Sequence, residues 1–445
     1  MQDATTAHMK TRNKLSLALD IIYMNPPRLI NALILGVFFV TSSICSFAQS
    51  DEDYAAKAHE IHTHIIALDT HLDAPGNLLR AGWDIGQRHD YRDDFTQLDF
   101  PRMREGGLTG GFFAIYTPQG PRTPEGLAHS RDYALQLALA IRMMVASHSD
   151  QCTLALNSAD ASKIAATGKR IVYMSIENGY SLGKDLTLVK TFYNLGVRVI
   201  GFVHFANNDL GDSASDLKGP EWHGLSPEGK ALITECNRLG IVIDASHSSD
   251  DVFHQMLELS KTPIILTHTS SRAVYNHPRN ATDKMMKELA NHGGVIQVNS
   301  YSTYLASLPE STERNKALAQ IYSKLSGRMD MTPEQRTVLM QKMAEINHKY
   351  PAPMTTFDIF MKHVLHTIEV VGIDHVGIGL DLDGGGGVKG LEDATCYYKI
   401  TAALLKAGYS EEDLKKFWGG NSLRVMKAAE NYAASLKVAS TSSNH

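Results

Sequence analysis

The sequence contains few cysteines and carries little net charge. Both features exclude particular kinds of binding site and partner. Only 4 of its 445 residues are cysteines and no Cys-x-x-Cys pair occurs, so neither a disulfide framework nor a thiolate zinc site is expected. The formal net charge of −5 and the lack of a basic run give no electrostatic footprint for nucleic acid. The glycine run after Asp383 lacks the Lys-Ser/Thr pair of a phosphate-binding loop, which excludes that interpretation. Any metal should therefore be bound by nitrogen and oxygen atoms.

A short apolar run near the amino terminus predicts export. Arg28 precedes apolar residues 29–40, and Ser46-Phe47-Ala48 offers a small-x-small cleavage site, a combination typical of a secretory signal peptide. The run is shorter than the about 20 residues that a membrane span needs, so an uncleaved anchor is the less favoured alternative. We predict a signal peptide over residues 1–48, with Met24 as an alternative start, and a periplasmic or secreted protein.

Three cysteines remain after this leader: Cys152, Cys236 and Cys396. An oxidising compartment permits one disulfide bond among them. The sequence does not choose the pair.

Eight short apolar runs, separated by helical patterns, predict a (β/α)8 barrel. The runs are rich in β-formers and do not alternate with polar residues, as expected of strands covered on both faces. The predicted strands are residues 65–68, 111–115, 171–175, 197–202, 241–244, 263–267, 295–298 and 375–379. The predicted helices include residues 130–147, 186–195, 227–239, 249–259 and 283–292. Such alternation is typical of a TIM-type barrel, whose active sites lie at the carboxyl ends of the strands.

The barrel is predicted to form a single domain over residues 49–437. The polar tail at 438–445 has no apolar stretch that would indicate a glycolipid anchor, so no stable membrane anchor is expected after signal removal. A charged, helix-rich segment at about 308–353 follows the seventh predicted strand and has no strand of its own. Because surface loops accept insertions readily, we favour a surface insertion with solvated faces, and a lid over the barrel mouth is the alternative.

Six of the strand-like runs end in residues that bind metals or transfer protons. These endings carry His71 with Asp73, Glu177, His204, His247, His268 and Asp381. Because the carboxyl ends of barrel strands meet at one rim, the side chains are expected to cluster. Imidazole and carboxylate donors suit zinc, and they also suit manganese or iron. The pattern predicts a metal-dependent hydrolase.

The individual signals differ in strength. His71 and Asp73 lie two residues apart, and on an extended segment such residues point to the same side and can bind one ion. His62 and His64 form a rival pair, but they lie in a segment that resembles a helix, and we expect them to be solvated. A salt bridge or helix cap is the ordinary role of a lone Glu177, whereas a buried one should meet a cation because burying an unpaired carboxylate is costly.

His204 and Asp381 remain for chemistry if the other five residues saturate two metal ions. Asp381 lies where a carboxylate can move a proton between water and a leaving amine. Asp383 is its close neighbour in the sequence and competes for the same role.

Several motifs, in order along the chain, resemble the membrane (renal-type) dipeptidase family of binuclear zinc peptidases. The resemblance runs from about Ile66 to about Glu430. Its motifs are GGFFAIYTP, SIENG, HTSSRAV…HPRN, GGVIQVNSY, GIGLDLDG, GLED and WGGNSLRVM. It implies a dipeptidase with two Zn²⁺ per chain, and it suggests a homodimer. The insertion is longer than in the animal enzymes and their carboxyl-terminal anchor is absent, so the chain looks like an exported bacterial-type member.

The resemblance also implies which residues hold the metal ions. His71 and Asp73 would bind one zinc ion, His247 and His268 the other, and Glu177 would bridge both. In a two-metal site of this kind, the bound water loses a proton near neutral pH and the resulting hydroxide attacks the peptide bond.

The remaining roles concern the substrate. The resemblance implies that His204 stabilises the tetrahedral intermediate, that Asp381 carries the proton and that Arg279 contacts the substrate carboxylate. Tyr304 would assist, with Tyr301 as the competing candidate. Arginine suits bidentate carboxylate recognition, which would limit substrates to dipeptides, and acceptance of a D-residue at the C-terminal position is left open.

Two alternatives remain. Another binuclear amidohydrolase would act on a cyclic amide, an N-acyl amino acid or a β-lactam, but many of these bridge their metals with a modified lysine, and no predicted strand ends in lysine. A non-catalytic exported metal- or ligand-binding protein is the alternative of another class. Nothing in the sequence favours it, because both sets of metal ligands and Asp381 are present.

Overall fold

The structure is a computed structural model that describes residues 50–323 and 327–442. The predicted signal peptide and the alternative start at Met24 lie outside the described residues. The described residues group as one compact unit. In the described ranges, no helix combines the length and the apolar character needed to cross a membrane.

Within the described residues, nine parallel strands form one sheet, and eight of them make up the predicted barrel. The strands are β1 (Leu68–Leu72), β2 (Gly110–Tyr116), β3 (Cys152–Leu154), β4 (Arg170–Glu177), β5 (Val197–Gly201), β6 (Val242–Asp244), β7 (Ile265–Leu266), β8 (Val295–Val298) and β9 (Val376–Ile378). Their order in the sheet is β1-β2-β4-β5-β6-β7-β8-β9, with β3 paired to β4 outside this path. The ends of the sheet meet where Asp73 N donates to Leu382 O at 3.0 Å and Asp381 N donates to His71 O at 3.2 Å. The barrel prediction is confirmed, and its closure joins two predicted site segments.

Helices cover the outside of the barrel and extend the loops. They are α1 (Asp51–His62), α2 (Tyr91–Asp94), α3 (Phe100–Glu105), α4 (Pro124–Ser147), α5 (Asp160–Ala165), α6 (Thr187–Leu195), α7 (Pro227–Leu239), α8 (Asp250–Leu259), α9 (Asp283–Asn291), α10 (Ser302–Leu305), α11 (Thr312–Tyr322), α12 (Pro333–Lys349), α13 (Phe357–Val371), α14 (Tyr397–Lys406), α15 (Glu411–Lys415) and α16 (Asn421–Ser442). The last of these runs into the predicted polar tail. The predicted insertion at about 308–353 contains α11 and α12 and follows the seventh barrel strand β8 and the short helix α10.

Local sequence explains many helix boundaries. Ser226 caps α7 by accepting a hydrogen bond from Gly229 N, and Pro227 occupies the first turn, where its missing N–H costs nothing. Gly240 ends the same helix with φ 76°, a conformation that favours glycine. The predicted bounds 227–239 agree with this helix.

Alternate residues of each strand enter different hydrophobic clusters. Val172 and Met174 of β4 pack in the large cluster that includes the surrounding helices. Ile171 and Tyr173 belong to a smaller cluster that also contains Met426 of α16. Burial of both faces is the reason that these strands show no polar alternation.

Three sequence-based expectations were wrong in detail. The first strand starts at Leu68 rather than at residue 65, because Ile65 and Ala67 are buried but the strand pairing begins only where Leu68 pairs with Gly110. The short strand β3 was missed. His62 is buried rather than solvated, since its ring nitrogens bond Gly107 O at 2.9 Å and Thr401 Oγ1 at 2.6 Å.

Candidate metal centre and active site

Glu177 stands at the centre of four histidines. Its Oε1 lies 3.2 Å from His247 Nε2, 3.4 Å from His268 Nε2 and 3.5 Å from His204 Nε2. Its other oxygen, Oε2, lies 3.3 Å from His71 Nε2. All five side chains are buried, so residues from separate strands have been brought to one point.

The strand ends place these groups. Glu177 is the last residue of β4, and His204, His247 and His268 each follow their strand by two or three residues. His247 and Asp381 have positive φ values of 65° and 64°, a conformation that costs free energy for residues other than glycine. Strained backbone of this kind often occurs at functional sites, where the surrounding fold holds it.

Three overlapping groups of side chains could each hold a metal ion. They are His71, Glu177 and His268; Glu177, His204 and His247; and His71, Asp73 and Asp381. Glu177 belongs to two of the three groups, as expected of a carboxylate that bridges two ions. The predicted ligands are therefore all present in one cluster, together with both residues expected to act on the substrate.

Donor chemistry in the cluster fits a divalent cation. His247 Nε2 and His268 Nε2 approach to 2.8 Å, and both are acceptor-type nitrogens if each ring carries its proton on Nδ1. His71 Nε2 and Asp73 Oδ1 are buried and make no hydrogen bond within the described residues. Buried polar atoms in folded proteins normally have a partner, and a metal ion bound by nitrogen and oxygen would supply one for these atoms.

A buried relay fixes the ring of His268. Thr267 Oγ1 donates to Asp244 Oδ2 at 2.6 Å and lies 2.9 Å from His268 Nδ1. Because the hydroxyl proton is used on Asp244, the hydroxyl oxygen accepts from His268 Nδ1–H. The Nε2 lone pair is thereby directed at the cluster, an arrangement that commonly orients metal-binding histidines.

The histidines and carboxylates of the cluster shift one another's pKa values. Burial acts to raise the pKa of Glu177, but His71 and His204 outweigh burial and hold this pKa well below the usual range. Burial lowers the pKa values of His247 and His268, which keeps these rings neutral. Burial also acts to lower the pKa of His71, but Glu177 and Asp73 raise it well above the usual value. The two carboxylates thus favour a positive charge between them, which a bound cation would provide.

Asp381 has the surroundings of a proton acceptor. Burial, with the nearby charges of Asp73 and Glu177, raises the pKa of Asp381 well above its usual range. Its Oδ2 is 3.5 Å from Asn299 Nδ2. At Gly384 a Cβ atom would overlap Asp73 Oδ2 and Asp381 Oδ1, so the glycine run allows the backbone to approach both carboxylates.

Arg279 and Tyr304 lie beside the cluster. The Arg279 guanidinium is buried, donates to His268 O at 2.8 Å and to Thr269 Oγ1 at 3.0 Å, and stands 5.6 Å from the centre of the Tyr304 ring. Tyr304 and Tyr301 both line the cavity over the cluster, whereas Arg279 is not among its lining residues. The Arg279 guanidinium thus lies next to a side chain that lines the cavity.

A cavity of about 680 Å³ opens above the metal centre. Asp73, Glu177, His204, His247 and Asp381 form part of its lining. Its opposite wall includes side chains of α11 and α12, so the insertion contributes to the site. The size is within the usual range of roughly 300–1,000 Å³ for small-molecule sites.

Sequence reasoning missed several supporting residues. Asp69 is fully buried in β1, and its carboxylate accepts hydrogen bonds from His71 N at 2.8 Å, Leu380 N at 3.0 Å and Tyr397 Oη at 2.6 Å. It thereby links the first and last barrel strands beneath the site. The only signal in the sequence was an aspartate inside an apolar strand, and the same applies to Asp244.

These features define a metal-dependent hydrolase on a TIM-type barrel, with a carboxylate-bridged cluster at the carboxyl ends of the strands. Comparison with known proteins makes the assignment narrower. The family model for membrane dipeptidases (peptidase family M19) matches residues 55–440, and the chain belongs to this family. It is therefore a dipeptide-hydrolysing enzyme.

Individual relatives agree with this assignment. The chain is 30% identical over 370 residues to dipeptidase tcpJ of Claviceps purpurea (strain 20.1), covering 81% of this chain and 76% of that protein. The crystal structure of the probable dipeptidase PvdM from Pseudomonas aeruginosa is 29% identical with a TM-score of 0.72, covering 86% of this chain and 99% of the other. Dipeptidase AC, a metallopeptidase of family M19, is 26% identical with a TM-score of 0.66, over 82% and 98% of the two chains.

Proposed function

We propose that this enzyme is a two-zinc dipeptidase, with Glu177 bridging the ions. The observation that carries the proposal is the position of the Glu177 carboxylate, whose two oxygens lie 3.2–3.5 Å from the Nε2 atoms of four histidines. His71 and Asp73 would hold one ion, and His247 and His268 the other. Bound zinc would supply Lewis acidity and lower the pKa of water towards neutrality.

Asp381 is the proposed proton carrier. Its raised pKa suits a group that takes a proton from water and gives it to the departing amine, because efficient acid–base catalysis needs a pKa near the working pH. His204 lines the cavity beside Glu177. We assign it to the stabilisation of the negative charge that develops on the carbonyl oxygen.

Arg279, together with Tyr304, is proposed to recognise the free carboxylate of the substrate. The guanidinium is buried and both acceptors that it reaches are uncharged, so its positive charge acts on the adjoining cavity through a medium of low polarity. Recognition of a carboxylate by Arg279 would limit the substrates to those with a free carboxylate one residue from the cleaved bond, which are dipeptides.

Two finer properties belong to the proposal. We propose that the cavity of about 680 Å³ also accepts a dipeptide whose C-terminal residue has the D configuration. The apolar run at residues 29–40 and the small residues that follow it support export to the periplasm or medium. A homodimer stays a prediction.

A dipeptide panel tests the function. The mature protein should hydrolyse L-Ala-L-Ala and L-Ala-D-Ala, lose activity when a chelator removes its metal, and regain activity on addition of zinc. N-acetylated dipeptides, cyclic amides and a β-lactam serve as comparison substrates. Turnover of these compounds without dipeptide turnover would identify another amidohydrolase, and zinc binding without any turnover would identify a binding protein.

A further inference from the structure

Three arginines from different parts of the chain, none of them in the candidate metal cluster, line the cavity. Arg80 follows the 3-10 turn that begins after Asp73, Arg314 lies on α11 and Arg336 lies on α12. They are 7%, 8% and 9% exposed. Each is therefore more than nine-tenths buried while forming part of the cavity lining.

The acceptors that these arginines reach within the described residues are all uncharged. Arg80 donates to Asn77 Oδ1 and Asp94 O, both at 3.2 Å, and its buried Nε has no hydrogen-bond partner there. A guanidinium has five N–H donors, so most of the donors of Arg80 are unused. Burial of a charged group is costly unless it is paired.

Arg314 and Arg336 also donate only to uncharged acceptors. Arg314 donates to Asn347 Oδ1 at 3.1 Å and Tyr350 O at 2.7 Å. Arg336 donates to Tyr133 Oη at 3.2 Å and stands over the same ring at 5.2 Å. Of these contacts, that of Arg336 leaves the insertion and reaches α4, and none of them is with a carboxylate.

A buried arginine away from the cavity shows the contrast. Arg198 is 8% exposed and donates to three backbone carbonyls, of Leu156, Tyr193 and Val197, at 2.6–2.9 Å. Its role is structural and does not need a ligand. Arg80 and Arg336 reach fewer acceptors and face the cavity.

Acidic residues in the same wall form no ion pair with the arginines, although the nearby charges of Asp94 and Asp383 partly offset the lowering of the Arg80 pKa by burial. Glu310 and Glu392 line the cavity in exposed positions, and Glu392 Oε1 accepts from Gly390 N at 2.7 Å. Asp383 accepts from Gln97 N. None of these carboxylates is in ion-pair contact with Arg80, Arg314 or Arg336 within the described ranges.

We propose that Arg80, Arg314 and Arg336 form a second anion subsite, which selects dipeptides carrying an acidic side chain in addition to the terminal carboxylate. The 3-10 rise of about 2 Å per residue over residues 74–79 separates the backbone of Arg80 from that of Asp73 by roughly 12 Å. An extended dipeptide backbone spans about 7 Å. We therefore expect a long acidic side chain of the substrate to reach the subsite. This inference rests on the proposed dipeptidase function.

Paired substrates test the subsite. Glu-Ala is compared with Gln-Ala, and Ala-Glu with Ala-Gln, because each pair differs in charge and hardly in shape. We expect the acid in at least one pair to have a kcat/KM about tenfold or more above its amide, the size expected of one charge-assisted hydrogen bond. Arg336→Met and Arg314→Met should each bring this ratio towards unity. Arg131→Met is the matched control, because Arg131 is on the outside of α4 and pairs with Asp132 at 2.7 Å.

Binding measurements test the anion subsite independently of the proposed dipeptidase activity. Calorimetric affinities of the same four peptides for the metal-loaded Asp381→Asn variant do not depend on turnover, and they should show the same acid preference. An acid-to-amide ratio of unity in the otherwise unchanged protein, or a ratio that survives in both arginine variants, would overturn the subsite even if neutral dipeptides are hydrolysed. Arg336→Lys, which keeps the charge, should retain part of the preference and excludes a purely structural effect.

Discussion

The relay behind His268 allows a quantitative prediction. Thr267→Val keeps the shape of the side chain but removes the hydroxyl that donates to Asp244 at 2.6 Å and accepts from His268 Nδ1 at 2.9 Å. His268 then loses the group that fixes its tautomer and ring orientation. Loss of such a supporting group typically weakens metal binding by about 10–100-fold, which is about 1.4–2.8 kcal/mol.

The same substitution should also affect folding stability, and the two effects can be separated. Asp244 Oδ2 would lose the hydroxyl donor in a buried position, which costs about 1–3 kcal/mol. Zinc affinity is measured by competition with a chromogenic chelator, and the free energy of unfolding is measured on metal-free protein. We expect both quantities to fall in Thr267→Val.

Thr262→Val provides the matched control. Thr262 is equally buried, accepts from Asn237 Nδ2 at 3.3 Å and precedes β7 at the end away from the site. Its replacement should lower stability by about 1 kcal/mol and leave zinc affinity unchanged. An unchanged zinc affinity in Thr267→Val, within about twofold, would refute the proposed role of the relay.

Three further predictions concern the catalytic groups. Asp381→Asn should lower kcat by about 10²–10⁴-fold with zinc content intact, as measured by elemental analysis; turnover close to the normal rate would rule out the proton-carrier role. Gly384→Ala should lower activity by about 10²-fold, because the added Cβ atom would displace the carboxylates of Asp73 and Asp381. Gly76→Ala, at a cavity-lining glycine whose Cβ would meet nothing within 4 Å, should remain active, and equal activity of the two variants would contradict this explanation. Arg279→Met should raise KM for L-Ala-L-Ala by about tenfold or more through loss of a charge-assisted interaction, and an unchanged KM would remove Arg279 from substrate recognition.

Much of the architecture could be read from local patterns. The barrel strands are buried on both faces and therefore appear as apolar runs, and the polar residues at their ends are conspicuous for the same reason. Topology then brings His71, Glu177, His247 and His268 to one rim, because parallel strands in a closed barrel all end on the same side. The cluster was predictable without any knowledge of side-chain packing.

Other features depend on contacts between distant segments. The start of β1 is set by the pairing of Leu68 with Gly110. The apolar residues before Leu68 resemble a strand in the sequence but do not belong to it. His62 looked like a surface residue of a helix, but its partners Gly107 and Thr401 come from elsewhere in the chain. Local patterns carry no information on such partners.

The sequence by itself determined the barrel and the set of histidines and carboxylates at the strand ends that meet at its rim. Only the tertiary structure decided that Thr267 and Asp244 orient His268, and that the insertion places Arg314 and Arg336 in the cavity wall. The physical reason is the separation along the chain of the residues that interact. Strand burial and strand-end position are local properties of the chain, whereas hydrogen-bond relays and cavity walls arise from side chains that meet only after folding.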